Sequence, residues 1–359
     1  MFKETYQVIG VMSGTSLDGI DLAHVYFTLK NNRWNYKILE TETIPYPQEW
    51  LIKLKNAVNF SENELISLNE EYTDYLGNSI KEFIDKHKLH SIDAVCSHGH
   101  TILHQPQNGL TLQIGNLPKI AKIVEKTVVC DFRVQDVELG GQGAPLVPIG
   151  DRLLFSEYDF CLNLGGFSNI SFEENDKRMA FDISPVNTVL NYYANQLGLE
   201  YDDKGKIAKT GKLNQELLNE LNSLDFYRKL YPKSLGLEFV KEIVLPLLEK
   251  YSISVEDKMY TFVEHIAIQT DFSLTRKEGK LLITGGGAYN DFIIEKMQKY
   301  LPKMQLIIPD SKTLEYKEAL IFGLLGVLKL RNEINVLCSV TGAKKNHSSG
   351  FIYVLAECK

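Results

Sequence analysis

Twice along this chain an apolar strand runs into a tight turn of glycines and small polar residues and returns as another strand. The first case is VIGVMSGTSLDGIDLAHVYF at 8–27, the second LNLGGFSNIS at 162–171. A hairpin needs only a two-residue turn, yet the first places Gly14, Thr15, Ser16, Asp18, Gly19 and Asp21 at its tip, and the second Gly165, Gly166 and Ser168. The surroundings repeat as well. Alternating apolar runs predict strands at 6–14, 20–30 and 34–43, with Asn31-Asn32 as a turn. Helical spacing then takes over from Pro47 to His87, followed by strands at 92–97 and 110–114, a helix at 117–125 and a strand at 127–132. In the second half the Gly-Gly hairpin is followed by a third strand, RMAFDIS, and a helix from Pro185 to Leu197. Further helices lead to a strand entering TGGGAYN (284–290), another strand in MQLIIPD, and an apolar helix from Lys317 to Leu330. Each half reads as three antiparallel strands, helix, strand, helix, strand. That grammar confines the chain to two similar α/β domains facing one cleft, over 1–155 and 156–334, with 335–359 free to return to the first. The halves share no evident sequence identity, so the repeat is one of structure.

The 359 residues suit two domains, and 44% hydrophobic with 24% charged residues is the composition of a fully folded globular chain. A net charge of −7 supplies no general field for nucleic acid or an anionic membrane, which argues for a small-molecule partner. Five scattered cysteines without a C-x-x-C pair read as thiols of a reducing compartment. With no signal-like N-terminus and no apolar run of membrane-spanning length, a cytoplasmic protein is expected.

Glycine turns bare their backbone N–H groups and form concavities for anions. Carboxylates beside such a turn repel a naked phosphate, so Asp18 and Asp21 are read as holding a divalent cation, directly or through water. A metal-nucleotide fits both facts. The third turn, with Gly285, Gly286 and Gly287, follows a strand and opens a helix, where an adenosine or phosphate can lie along the backbone. It is not G-x-x-x-x-G-K-[ST], so no P-loop is present. Each turn taken singly has a plainer reading as a turn; three at matching corners point to a ligand.

The blocks GVMSGTSLDGIDLA, SHGHTILH, LQIGN, DFRVQDVELGGQGAPLVP, LNLGGFSNIS and TGGGAYN, in this order from residue 8 to about 342, resemble the signature blocks of the bacterial anhydro-N-acetylmuramic acid kinases, a branch of the actin-like sugar kinases. The resemblance implies duplicated actin-like (ribonuclease H-like) domains, each a mixed five-stranded sheet with flanking helices, around a central cleft. It implies ATP, Mg2+ and 1,6-anhydro-N-acetylmuramic acid as partners. The implied reaction opens the anhydro ring with water and phosphorylates O6, giving N-acetylmuramic acid 6-phosphate in peptidoglycan recycling. A homodimer stays open.

Such a reaction needs a base for water at the anomeric carbon and a cradle for the moving phosphoryl group. Asp182 in FDISPVN, at the end of a strand, is the candidate base and matches the family's; Ser184 before Pro185 is read as the N-cap of the next helix. The usual motif reads FD-[TC]-GPGN. Here Ile183, Ser184 and Val186 depart from it, which bears on how closely the sugar approaches, while Asp182, Pro185 and Asn187 are kept. By resemblance Arg133 and the Gly140–Gly143 loop, with Gly141, Gln142 and Gly143, border the sugar and phosphoryl group; the plainer reading of Arg133 and Asp136 is a local ion pair. By resemblance Glu318 is a second acidic candidate, the alternative being a helix-N-terminal charge. His98, His100 and His104 lack the partners of a zinc site; His98 and Thr101 are candidates for substrate hydrogen bonds, with packing as the alternative. TGAKKNHSSG at 341–350 reads as a solvated loop. Two rival functions remain: a non-catalytic sugar or nucleotide sensor, and a kinase of an ordinary sugar without ring opening.

Overall fold

The computed structural model describes residues 2–14 and 17–355; Thr15 and Ser16, expected to touch nucleotide, lie outside the described residues. Contacts divide the chain into two compact units, Met1–Leu154 with Tyr316–Lys359, and Phe155–Glu315.

The first unit is built on β1 (Thr5–Ser13), β2 (Ile20–Lys30), β3 (Arg33–Ile44), β4 (Ala94–Gln105), β5 (Leu110–Ile114) and β6 (Val128–Cys130). β2 lies antiparallel between β1 and β3, while β1, β4 and β6 run parallel, giving the order β3-β2-β1-β4-β6. The second unit holds β7 (Phe160–Leu164), β8 (Phe167–Glu174), β9 (Lys177–Pro185), β10 (Glu278–Thr284) and β11 (Lys303–Ile307). Its order is β9-β8-β7-β10-β11, with β8 antiparallel to both neighbours and β7, β10 and β11 parallel. The same order and the same mix of directions in both units is the duplicated actin-like arrangement. One detail differs from expectation. The first sheet has seven strands, not five, because β5 folds back antiparallel on the overhanging end of β4 and β12 (Phe351–Tyr353) covers the otherwise open edge of β6.

Local chemistry explains much of this. Asn31 and Asn32 both take positive φ, 52° and 59°, the primed turn that matches strand twist. The helix Glu62–Lys86 opens on a Ser61/Glu64 capping box and buries Leu68, Tyr72, Leu76, Ile80 and Phe83 on the first sheet. The helix Ser311–Leu330 lies on the same sheet at very close range: a Cβ on Gly10 of β1 would stand 1.8 Å from the Ala319 carbonyl oxygen, and one on Gly326 would stand 2.1 Å from Cys96 Sγ. The absent side chain at Gly10 lets helix and sheet touch backbone to backbone, and the one at Gly326 makes room for the Cys96 side chain.

That helix breaks at Tyr316 (φ −108°, ψ 19°), the residue where the chain leaves the second unit for the first. The sequence places the end of the second domain at 334, whereas contacts group everything from Tyr316 onward with the first unit. The helix after β9 also starts later than expected, at Asn187 rather than Pro185. The β8–β9 ladder runs on to Phe167↔Pro185, so Ser184 is a strand residue and not an N-cap; Val186 occupies that place with no side-chain cap.

Candidate functional site

In the first unit the end of β1 rests on a buried chain of hydroxyls and one imidazole. Ser13 Oγ lies 2.5 Å from Tyr46 OH and 2.7 Å from His100 Nδ1, and Tyr46 OH lies 2.5 Å from Tyr72 OH. Burial pushes His100 down to about 4 and Tyr46 up to about 12, so the support is uncharged near neutral pH. Gly14 is half-buried and Asp18 exposed, while Asp21 Oδ1 accepts a hydrogen bond from Thr43 Oγ1 at 2.6 Å. Gly19 is glycine for a reason internal to the fold: a Cβ there would meet the Ile44 carbonyl oxygen at 2.5 Å.

Arg133 is the hub of this unit. Its Nε donates to His98 Nε2 at 2.8 Å and its Nη1 to the Gly143 carbonyl at 2.6 Å, which leaves three guanidinium N–H groups without a hydrogen-bond partner among the described residues. For His98 Nε2 to accept, the proton must sit on Nδ1, which is 2.9 Å from the Gly99 carbonyl. Burial and the neighbouring guanidinium hold that ring neutral. Both His98 nitrogens are thereby engaged within the protein, where a substrate hydrogen bond was expected. The expected Arg133–Asp136 ion pair is also replaced: the two meet on Gly143 instead, with Asp136 Oδ2 accepting from its N–H at 2.7 Å. Gln142 is exposed at the loop tip, and Thr101 is half-buried and accepts from Gln113 Nε2 at 3.3 Å.

The non-helical Tyr316 separates two helical segments, so Glu318 lies in the first turn of the second, where a helix-N-terminal charge was expected. Surrounding protein and Asp21 raise its carboxyl above the usual range, Arg133 and Lys317 oppose this, and access to water limits the effect. Beside it Lys317 and Asp151 form a buried ion pair at 2.8 Å. Asp21 and Arg133, distant in sequence, thus both act on Glu318 within one unit. Among the described residues no group of three His, Cys, Asp or Glu could hold a metal. Two hard carboxylates with one of them exposed nevertheless suit Mg2+, which keeps several waters and takes one or two protein oxygens.

In the second unit the turn residues sort into structural and open ones. A Cβ on Gly285 (φ +82°) or Gly287 would strike the Leu164 backbone at 2.8 and 2.9 Å, so these two serve the packing against β7. Gly286 is exposed, with Asn187 Nδ2 the nearest atom to a Cβ there at 3.7 Å, and Gly166 is exposed too. The Gly165 and Gly166 carbonyls accept from the backbone N–H groups of Asn187, Val186 and Thr188, tying the hairpin to the first turn of the following helix. Ser168, expected to touch nucleotide, is wholly buried: its Oγ accepts from Ser184 N at 3.2 Å and lies 3.1 Å from the Ser184 carbonyl and hydroxyl, pinning the bulge between β8 and β9.

Asp182 is half-buried near the end of β9. Oδ2 accepts from Leu235 N–H at 2.8 Å, and Asp182 N–H donates to the Lys233 carbonyl at 3.1 Å. Burial raises its carboxyl above the usual range, opposed by the Leu235 N–H. Ile183 and Val186 point into the core and Ser184 is held by Ser168, so the three departures from the family motif are packing residues of the unit's interior.

A Gly166→Val variant gives a direct test of the open turn. Its Cβ would meet only the Thr188 methyl, at 3.1 Å, so folding should survive while the turn is blocked. The expected result is a nucleotide Kd raised about tenfold or more, equivalent to ~1.4 kcal/mol, with a near-normal melting temperature in the absence of ligand. Unchanged affinity by calorimetry would remove this turn from the nucleotide site.

The model of the family described as anhydro-N-acetylmuramic acid kinase matches residues 6–355. Proteins carrying that name are similar along their whole length: that of Mannheimia succiniciproducens is 36% identical over 98% of this chain and 100% of its own. Those of Pseudomonas syringae pv. syringae and Pasteurella multocida are 33% and 34% identical, over 96% and 98% of this chain and 98% of their own lengths.

Proposed function

The chain belongs to the anhydro-N-acetylmuramic acid kinase family, and we propose that it hydrolyses and phosphorylates 1,6-anhydro-N-acetylmuramic acid with ATP to give N-acetylmuramic acid 6-phosphate. Water adds to the anomeric carbon as the C1–O6 bond breaks. O6 takes the γ-phosphoryl group from ATP, ADP leaves, and the proton lost by water passes to a base. The observation that carries this reading is Asp182: one carboxylate oxygen is fixed by Leu235 N–H, while Oδ1 has no hydrogen-bond partner among the described residues. A carboxylate oriented through one oxygen and open at the other is what proton abstraction from water requires.

Arg133 serves as the fixed cation for charge on the phosphoryl group or on the sugar's carboxylate, through the guanidinium edge not used by His98 and Gly143. Glu318, coupled to Arg133, is the second acid near the sugar. Asp18 and Asp21 would hold Mg2+, which supplies charge neutralisation at the nucleotide phosphates. Gly166 and Gly286 give the open backbone on which the nucleotide can lie.

The test is product analysis by mass spectrometry in water enriched in heavy oxygen, with Mg-ATP and 1,6-anhydro-N-acetylmuramic acid, read before anomer exchange blurs the label. Heavy oxygen on the anomeric hydroxyl of a phosphorylated product is expected. A phosphorylated sugar with its anhydro ring intact would make the protein an ordinary kinase, and nucleotide binding without product would make it a sensor.

A further inference from the structure

The segment 341–350, expected to be a solvated loop, is half internal: Lys344 and Lys345 are exposed, but Thr341, Ala343, His347 and Ser349 are buried. It is laced to the chain around Arg133 at four points. Thr341 Oγ1 donates to Asp136 Oδ1 at 2.8 Å, Gln142 N donates to the Thr341 carbonyl at 2.8 Å, Lys344 N to the Leu139 carbonyl at 3.1 Å, and Ser349 Oγ to the Phe132 carbonyl at 2.7 Å. Asp136 is at the centre of this lacing and is fully buried. A buried carboxylate is retained only where its oxygens are hydrogen-bonded. Here Oδ1 has Thr341, with His347 Nε2 at 3.5 Å, and Oδ2 has the Gly143 N–H at 2.7 Å. Gly141 makes the room, since a Cβ there would stand 2.2 Å from Asp136 Oδ2.

The consequence runs outward through one residue, Gly143, across its two flanking peptide groups. Asp136 holds the Gly143 N–H, and the carbonyl of that same residue receives Arg133 Nη1 at 2.6 Å. Gly143 sits at φ +67°, a conformation that favours glycine, and it is held from both sides by these two hydrogen bonds. We infer that Asp136 and Thr341 are positioning residues for the reaction: through Gly143 they set the direction in which Arg133 presents its free N–H groups. Placing charge-stabilising donors to within an ångström is worth up to about a hundredfold in rate. The C-terminal segment is therefore part of the catalytic apparatus although none of its side chains need touch a substrate. This rests on the reading of Arg133 as the cation of the site.

The test uses the full-length protein with Mg-ATP and 1,6-anhydro-N-acetylmuramic acid. Thr341→Val removes one hydroxyl from a buried contact, is close in volume, and is expected to lower kcat about tenfold while the KM for ATP stays within twofold. Thr341→Ser, which keeps the hydroxyl, should restore most of the loss. Asp136→Asn should lower kcat further, but because it can also impair folding, Thr341→Val carries the decision. The second readout is exchange of the Gly143 amide hydrogen, which should quicken in Thr341→Val. The third is the double variant with Arg133→Ala, in which Thr341→Val should add no further loss in kcat, because it acts through Arg133. Unaltered kcat in Thr341→Val, or a loss that adds fully to that of Arg133→Ala, overturns the inference. An Arg133→Ala enzyme of normal kcat would instead overturn the reading of Arg133, and the inference with it.

Discussion

Asp182→Asn should lower kcat by about a thousandfold while leaving ATP affinity within about twofold, a loss within the range for removing a general base. The substitution is nearly isosteric, and the amide oxygen can still accept from Leu235 N–H, so the tie between β9 and the 233–235 segment persists. Folding stability should change little. What disappears is the ability of Oδ1 to take a proton from water. The pH profile supplies an independent mark. The base works ionised, and burial raises its pKa, so activity in the parent protein should fall with acid at a pH above that of an ordinary aspartate, near 3.9. In Asp182→Asn that acid limb should vanish from the residual activity. Normal turnover in the variant would show that another group activates water. A large drop in melting temperature would show a structural carboxylate.

Gly10→Ala is expected to be the most damaging single methyl in the protein. Its Cβ would lie 1.8 Å from the carbonyl oxygen and 2.7 Å from the carbonyl carbon of Ala319, so no rotamer change can relieve it. β1 is clamped between β2 and β4, so the helix Ser311–Leu330 must move away from the sheet. Overpacking usually costs about 1–3 kcal/mol and more when only backbone can yield. A loss of about 3 kcal/mol or more is expected, read as a fall of roughly 5–10 °C in melting temperature. Gly323→Ala on the same helix is the internal comparison. There the new methyl would meet the Val8 side chain at 3.3 Å, which can adjust, so the loss should be about 1 kcal/mol. Activity should fall further than stability in Gly10→Ala, because Glu318 adjoins the displaced residue. Equal stabilities for the two variants would contradict the close approach of helix and sheet.

The strands were legible because their signals are local. Alternation marked β1, β2 and β3 to within a residue or two, and Asn31-Asn32 declared their turn. The duplication followed from element order. What remained hidden depends on distant partners. Ser13, Tyr46, Tyr72 and His100 form one hydroxyl chain from four separate segments, and no spacing in the sequence relates them. Arg133 and Asp136 are three residues apart and opposite in charge, which locally reads as an ion pair; instead both bond to Gly143, and Asp136 also to Thr341. In TGAKKNHSSG the polar composition reads as solvated, whereas Thr341 and Ser349 satisfy buried polar atoms elsewhere. Gly19, Gly285 and Gly287, expected as ligand contacts, each also make room for a neighbouring strand, a packing role that the sequence does not declare, while Gly166 and Gly286 are open backbone.

The passage of the chain through its two units also orders its assembly on the ribosome. Phe155–Glu315 is one unbroken stretch and has everything its sheet and core need once it has emerged. The unit begun first cannot be finished then, because the helix whose backbone meets Gly10, and the strand that covers the edge of β6, belong to Tyr316–Lys359. At about 10 residues per second, the nascent first unit waits on the order of ten seconds or more with one face of its central strands bare. The half that starts first is completed last, so chaperones have longest access to the apolar surface around Val8 and Cys96, where the late helix finally settles.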